Sequence, residues 1–260
     1  MNTSPSSLGV DAESAVQETS VWSKILNMFA APREVFEELR ASEASSVANW
    51  LTPTFLMALL AVTSAFVLFS QPAIVQAVLD QQTKQFEKQV AEKKMTADQA
   101  NGARIYLEKT GATLFKITGS IAGAVGSGIG LLVMSTVVLT LVSFLSQEKI
   151  GFGKAMEIAA LSSCIQILAT IVGLCLISMK GHLFATLSPG LFISDFDPEN
   201  KAHLWAANIN LMSFWYLAVL SLGISVVGQI KWAKAAVPVF GLWLAYRLIV
   251  ISKGWAATGM

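Results

Sequence analysis

GSIAGAVGSGIGLL, residues 119–132, places five glycines within twelve positions. Two chemistries use such a stretch: a loop that cradles phosphate, or a helix face that lets other helices come close. A dinucleotide loop needs G-x-G-x-x-G between a strand and a helix. Counted from Gly126 and Gly128, the third glycine falls on Leu131. No Lys-Ser or Lys-Thr pair follows, so the phosphate-loop pattern fails as well. What fits is small-xxx-small spacing: Gly119 with Gly123, Ala122 with Gly126, and Gly126 with Gly130. In lipid, helices associate by close backbone packing, and small residues at that spacing permit it. Gly119, Gly123, Gly126 and Gly130 are therefore read as helix-packing residues, with no nucleotide partner. Small side chains matter only where backbones approach, so this helix is expected to be central, its glycines against at least two others.

The solvent this implies agrees with the composition. The chain has 260 residues, of which 54% are hydrophobic and 13% charged, with a mean hydropathy of +0.59. Soluble domains carry about 25% charged residues. A net charge of +1 gives no case for nucleic acid, which would need a clustered basic face. Uncharged apolar runs of about 18 residues or more mark membrane-spanning helices. Such runs predict an all-α membrane protein with spans at about 50–70, 117–146, 156–179, 208–230 and 235–252, a five-helix bundle occupying 50–252. Trp22, Trp50, Trp205, Trp232 and Trp255 fall near predicted ends, where interfacial aromatics belong.

Outside the spans the patterns are polar or amphipathic. Residues 1–20 lack Lys, Arg and an apolar core, so they read as a disordered polar tail rather than a signal peptide; residues 253–260 form a short C-terminal tail. The 21–49 segment is amphipathic, with Ile25, Met28, Phe36 and Leu39 against Glu34, Glu37 and Glu38. It either lies in the headgroup region or packs beneath the bundle. Residues 71–112 read as an extramembrane helical hairpin whose second arm starts at a Thr96…Gln99 capping box. Gly111 falls in the loop that follows it. Cys164 and Cys175 are small residues on one face of a membrane helix, too far apart for a disulfide.

With the spans placed, the chain resembles the bacterial branch of the Yip1-domain family of five-helix membrane proteins, from about residue 22 to 250. The resemblance rests on Pro32 and Phe36 in APREVFEEL, Trp50 and Pro53 in NWLTP, the GFGKAMEIAALSS turn at 151–163, and FWYLAVLSLGISVV at 214–227 followed by KWAKA at 231–235. The DLYGP-type signature of the eukaryotic branch is absent, which puts that branch's association with small GTPases in doubt here. The resemblance implies no catalytic residues.

Ionisable groups inside spans are functional candidates by default. Lys116 and Lys180 lie at span ends and can snorkel. Glu157 falls in the first turn of the third span, three residues after Lys154. Arg247 is about twelve residues into the fifth span, and Gln166 is the central uncharged polar group of the third. Glu157, Gln166 and Arg247 are thus the possible intramembrane functional residues, with structural roles as the plainer reading. Asp195, Asp197 and Glu199 imitate the start of a calcium loop, but Asn200 and Ala206 replace its required glycine and glutamate. No metal, cofactor or catalytic site is expected.

The sequence therefore reads as a non-enzymatic scaffold or organising protein, contacting the lipid bilayer and either a membrane-protein partner or a second copy through the glycine face. The alternative is a small-solute or ion permease, which needs polar groups converging at mid-membrane. The tight turns with Lys149, Lys154, Lys231 and Lys234 and the family's topology place the N-terminus in the cytoplasm, the membrane being the bacterial inner one. Lys and Arg counts alone, seven on that face against eleven opposite, argue the reverse.

Overall fold

A computed structural model describes residues 19–253, so most of the tail assigned to 1–20 and nearly all of 253–260 lie outside the described residues. Two short helices, α1 (Val21–Ala30) and α2 (Pro32–Ala41), come first. Ser20 caps α1 by accepting from Ser23 N, and Pro32 opens α2, where its missing N–H breaks no helical bond. Their apolar sides are packed within the protein: Ile25, Met28, Val35, Phe36 and Leu39 join one buried cluster with residues of the long helices. Of the two placements open to this segment, packing against the bundle accounts for that face. The opposite face of α1 leaves Trp22 and Leu26 exposed.

The chain then runs back and forth. Helix α3 (Val47–Leu68) leads away from α2, and α4 (Pro72–Ala91) continues beyond it. Helix α5 (Ala97–Leu145) returns, followed by α6 (Phe152–Ser162) and α7 (Cys164–Lys180), which break at Ser163. After a loop with one 3-10 turn at Pro189–Phe192 come α8 (Lys201–Asn208), α9 (Leu211–Val227) and α10 (Trp232–Ser252). Contacts between chain ends fix two faces. On the near face Ser146 Oγ donates to Gly228 O, Gln229 Nε2 to Glu148 Oε1 at 3.0 Å, and Lys234 Nζ to Leu145 O at 2.8 Å. On the far face Gln71 Nε2 donates to Ser178 Oγ at 2.9 Å.

Four of these helical runs are long and apolar enough to cross a bilayer: α3, α5, α6–α7 and α10. Helix α9 has 17 residues and becomes a fifth only together with α8, from which it is bent by 50°. The protein is thus an all-helical, multi-pass membrane protein among the described residues.

Several expected boundaries move. The second arm of the 71–112 hairpin and the second span are one uninterrupted helix of 49 residues, α5. Nothing between Thr96, which caps it with Gln99, and Leu145 stops it, since glycine in a helix interior only weakens it by about 1 kcal/mol. Gly111 is therefore not in a loop; it is buried in α5, where an added methyl would lie 3.2 Å from Leu79 of α4. The first span, expected from about residue 50, starts earlier, since α3 begins at Val47. The connection between the third and fourth expected spans contains a helix, α8, which runs on to Asn208.

Candidate functional site

Glu157 has no exposed surface. Because α6 starts at Phe152, this carboxylate stands in the second helical turn rather than the first. Its Oε1 accepts from Ser46 N at 2.8 Å and from Asn49 Nδ2 at 2.7 Å. Ser46 is the N-cap of α3, and its own side chain makes no capping bond. The Glu157 carboxylate supplies the missing acceptor at a helix end where negative charge is favoured.

Lys154, one turn earlier on the same face, does the reverse for α2. Its Nζ donates to Leu39 O at 3.0 Å, Ser42 O at 3.1 Å and Ser42 Oγ at 2.9 Å. These acceptors surround the C-terminus of α2, where positive charge is favoured. Lys154 Nζ also lies 3.3 Å from Glu157 Oε2. One buried ion pair on α6 therefore caps the end of α2 and the start of α3 together. Gly153 makes the approach possible, since a methyl there would collide with Ser45 Oγ.

One further contact fixes the α1–α2 unit to the bundle, and another ties α1 to α2. Gly223 of α9 admits the Phe36 ring, with a methyl at that position falling 2.8 Å from Phe36 Cζ and 2.9 Å from Ile158 Cγ2. Glu38 accepts from Thr19 N and Oγ1 at 2.8 and 2.6 Å and pairs with Lys24 at 3.2 Å. Burial pushes the Glu38 carboxyl up, but the Thr19 and Lys24 contacts outweigh it and hold it below the usual glutamate range.

The other sequence candidates are not gathered here. Gln166 is half-buried in the first turn of α7, where its carbonyl accepts from Thr170 Oγ1 at 2.8 Å. Arg247 is near the far-face end of α10, which starts at Trp232, and its Nε is enclosed with no hydrogen-bond partner. A methyl on Gly119 would lie 3.3 Å from Ala65 Cβ, and one on Gly123 would lie 2.7 Å from Ala61 Cβ. Both neighbours belong to α3, while Gly126 and Gly130 have open space. Within van der Waals reach these covered glycines thus meet α3 alone, not two helices, while α5 joins the common core further along, through Leu131, Val138 and Val142.

The sequence pattern of the Yip1 domain matches residues 26–253, from α1 to the end of α10. The chain belongs to the Yip1 domain family. No curated protein and no solved structure matches it. Within this Yip1 domain the junction residues fall on segments already notable in sequence: Asn49 precedes the Trp50 of NWLTP, and Gly153, Lys154 and Glu157 lie in GFGKAMEIA. What sequence missed is that these two segments touch. The i,i+3 spacing of Lys154 and Glu157 was the available signal. The Yip1 family is one of membrane proteins not known as enzymes.

Proposed function

We propose that this Yip1-domain protein is a non-enzymatic membrane scaffold, in which α1 and α2 form a platform clamped to the near face of a five-span bundle. The single observation that carries the reading is the Lys154–Glu157 pair. The one fully buried carboxylate among the described residues is engaged by Ser46, Asn49 and Lys154, all of them helix-end groups. It holds two parts of the protein together, with Oε1 shared by Ser46 and Asn49 and Oε2, which accepts no hydrogen bond, facing Lys154.

Hydroxyls in the spans support the same reading. Ser135, Ser162 and Ser221 are buried, and each donates to the carbonyl four residues earlier in its own helix. Hydroxyls satisfied within their own helix are not free to bind a passing solute, and this disfavours the permease. Among the described residues, Ser64 in α3 and Ser120 in α5 are the buried hydroxyls left without a partner. The platform's outer face carries Arg33, Glu34, Glu37 and Arg40, a polar surface suited to a protein partner. The exposed Gly126 and Gly130 offer a close-packing face to another membrane helix or a second copy. We take the platform to face the cytoplasm of a bacterial cell, a reading supported by the lysines of the two short near-face turns.

A photo-crosslinker placed at Glu37 tests this against one placed at Lys109 on α5. A single reproducible adduct from Glu37, absent from Lys109, supports a platform-bound partner. Solute movement into proteoliposomes above that into empty liposomes refutes the scaffold and favours the permease.

A further inference from the structure

The far face holds a cleft of about 940 Å³ between α4, the loop after α7 and the last turn of α10, within the roughly 300–1,000 Å³ typical of ligand sites. An aromatic stack builds one wall: Phe196 lies 5.1 Å from Phe184 and 5.5 Å from His182, ring centre to ring centre. Burial, with Lys180 nearby, pushes the His182 imidazole below its ordinary range, so it is neutral at physiological pH. Its Nδ1 is enclosed with no hydrogen-bond partner.

Charge at the rim is unevenly matched. Lys88 pairs with Glu199 at 2.7 Å and Lys94 with Glu92, while Asp80 accepts from Gln76 Nε2 at 2.8 Å. Lys84 and Lys201 also line the cleft, both exposed, and neither has an acidic partner within ion-pair distance among the described residues. Among the described residues the rim is left with two free cations.

Below the rim the same chemistry continues toward the membrane. Ile251 of α10 lines the cleft. Arg247 is one turn earlier on the same face of α10, about 6 Å deeper, and Trp243 is one turn below that. Arg247 Nε and Trp243 Nε1 are enclosed without acceptors. Both side chains only donate, and buried donors without acceptors are rare in folded proteins. Around them Leu244 and Leu248 are exposed on an apolar helix surface.

We infer that this cleft and the α10 stripe beneath it hold one anionic phospholipid, its phosphate drawn by Arg247 and the free lysines and its chains lying along α10. An amphiphile fits better than a free anion, because the unpartnered donors of Arg247 and Trp243 lie below the charged rim, beside the exposed apolar Leu244 and Leu248 of α10. A bilayer lipid reaches them laterally.

The test uses the purified full-length chain in detergent, offered equimolar phosphatidylglycerol and phosphatidylcholine, with retained lipid counted by native mass spectrometry. Phosphatidylglycerol is expected to be retained preferentially, and the preference to fall about five-fold for each cation lost. Lys84→Gln with Lys201→Gln, both on exposed side chains, should lose the preference with an unchanged melting temperature. Arg247→Gln should lose it too, and Arg247→Lys should keep most of it. If Arg247→Gln fails to fold, the lysine pair decides alone. Equal retention of the two lipids, or a preference that survives the lysine substitutions, overturns the inference. Displacement of phosphatidylglycerol by millimolar inorganic phosphate also overturns it, since the site would then take the free anion.

Discussion

Removing the Glu157 carboxylate is expected to loosen the platform from the bundle before the bundle itself melts. In Glu157→Ala, Ser46 N and Asn49 Nδ2 lose their acceptor, and Lys154, whose side chain is 11% exposed, loses its counter-charge. Leaving one partner of a buried pair alone costs about 3–5 kcal/mol. Lys154 keeps the Leu39 and Ser42 oxygens, so the low end, about 3 kcal/mol, is expected. At roughly 2–4 °C per kcal/mol for domains near this size, the melting temperature in detergent should fall by about 6–12 °C. Glu157→Gln keeps an acceptor for Ser46 and loses only charge, costing about 1–2 kcal/mol. The combination Lys154→Met with Glu157→Leu should recover part of the loss, because a buried pair replaced by apolar groups is often neutral. Intrinsic tryptophan fluorescence follows the melting, and limited proteolysis reads the junction directly, since cleavage near 42–46 should rise in Glu157→Ala. An unchanged melting temperature with unchanged cleavage would refute the capping argument. So would a double variant worse than the sum of the two single ones.

Four further outcomes follow from other parts of the molecule. Gly223→Ala should cost about 1–3 kcal/mol by overpacking against Phe36 and Ile158, measured by the same fluorescence melt. Gly123→Leu and Gly111→Leu should both destabilise, through Ala61 and Leu79, whereas Gly126→Leu should leave the monomer's melting unchanged and act only on crosslinked dimers in membranes. The lowered Glu38 carboxyl contributes stability that is present above the ordinary glutamate range, about 4.3. That stability is lost as pH falls through its lowered value. Acidification should therefore raise proteolysis near α1 in the native chain, with Glu38→Gln already raised at neutral pH and insensitive to acid. With a cytoplasmic N-terminus, single cysteines at Gln89 and Ser194 should react with an impermeant thiol reagent in intact cells, while Ser7 and Ser146 positions stay protected; labelling at Ser7 alone would invert the orientation.

Periodicity and run length made the helical class legible, since an apolar run needs no partner to declare its solvent. Boundaries were less legible where the neighbouring element decides them. Sequence splits the 97–145 helix at Gly111 because glycine after a polar arm reads as a loop, yet the helix runs through where α4 packs beside it and Gly111 admits Leu79. Sequence singles out Glu157 as an ionisable group in an apolar run, but its partners Ser46 and Asn49 are more than a hundred residues away in sequence. No local spacing encodes that distance. The glycine ridge was half informative for the same reason. Spacing shows that backbones could approach at Gly119 and Gly126 alike, and only the path of α3 decides that one is covered and the other open.

The length of α5 has a mechanical consequence. Its 49 residues span about 74 Å at 1.5 Å per residue. Gly119 lies beside Phe69, the last cap of α3, so everything from Ala97 to Thr118 projects past the apolar part of the bundle, about 33 Å. The helix is continuous across that boundary, with no hinge to absorb rotation. A tilt of about 10° within the membrane therefore swings the outer end sideways by about 6 Å, on the 33 Å arm set by the helical rise. The α4–α5 arm works as a pointer, turning small rearrangements among packed helices into displacements that a neighbour well clear of the lipid can feel.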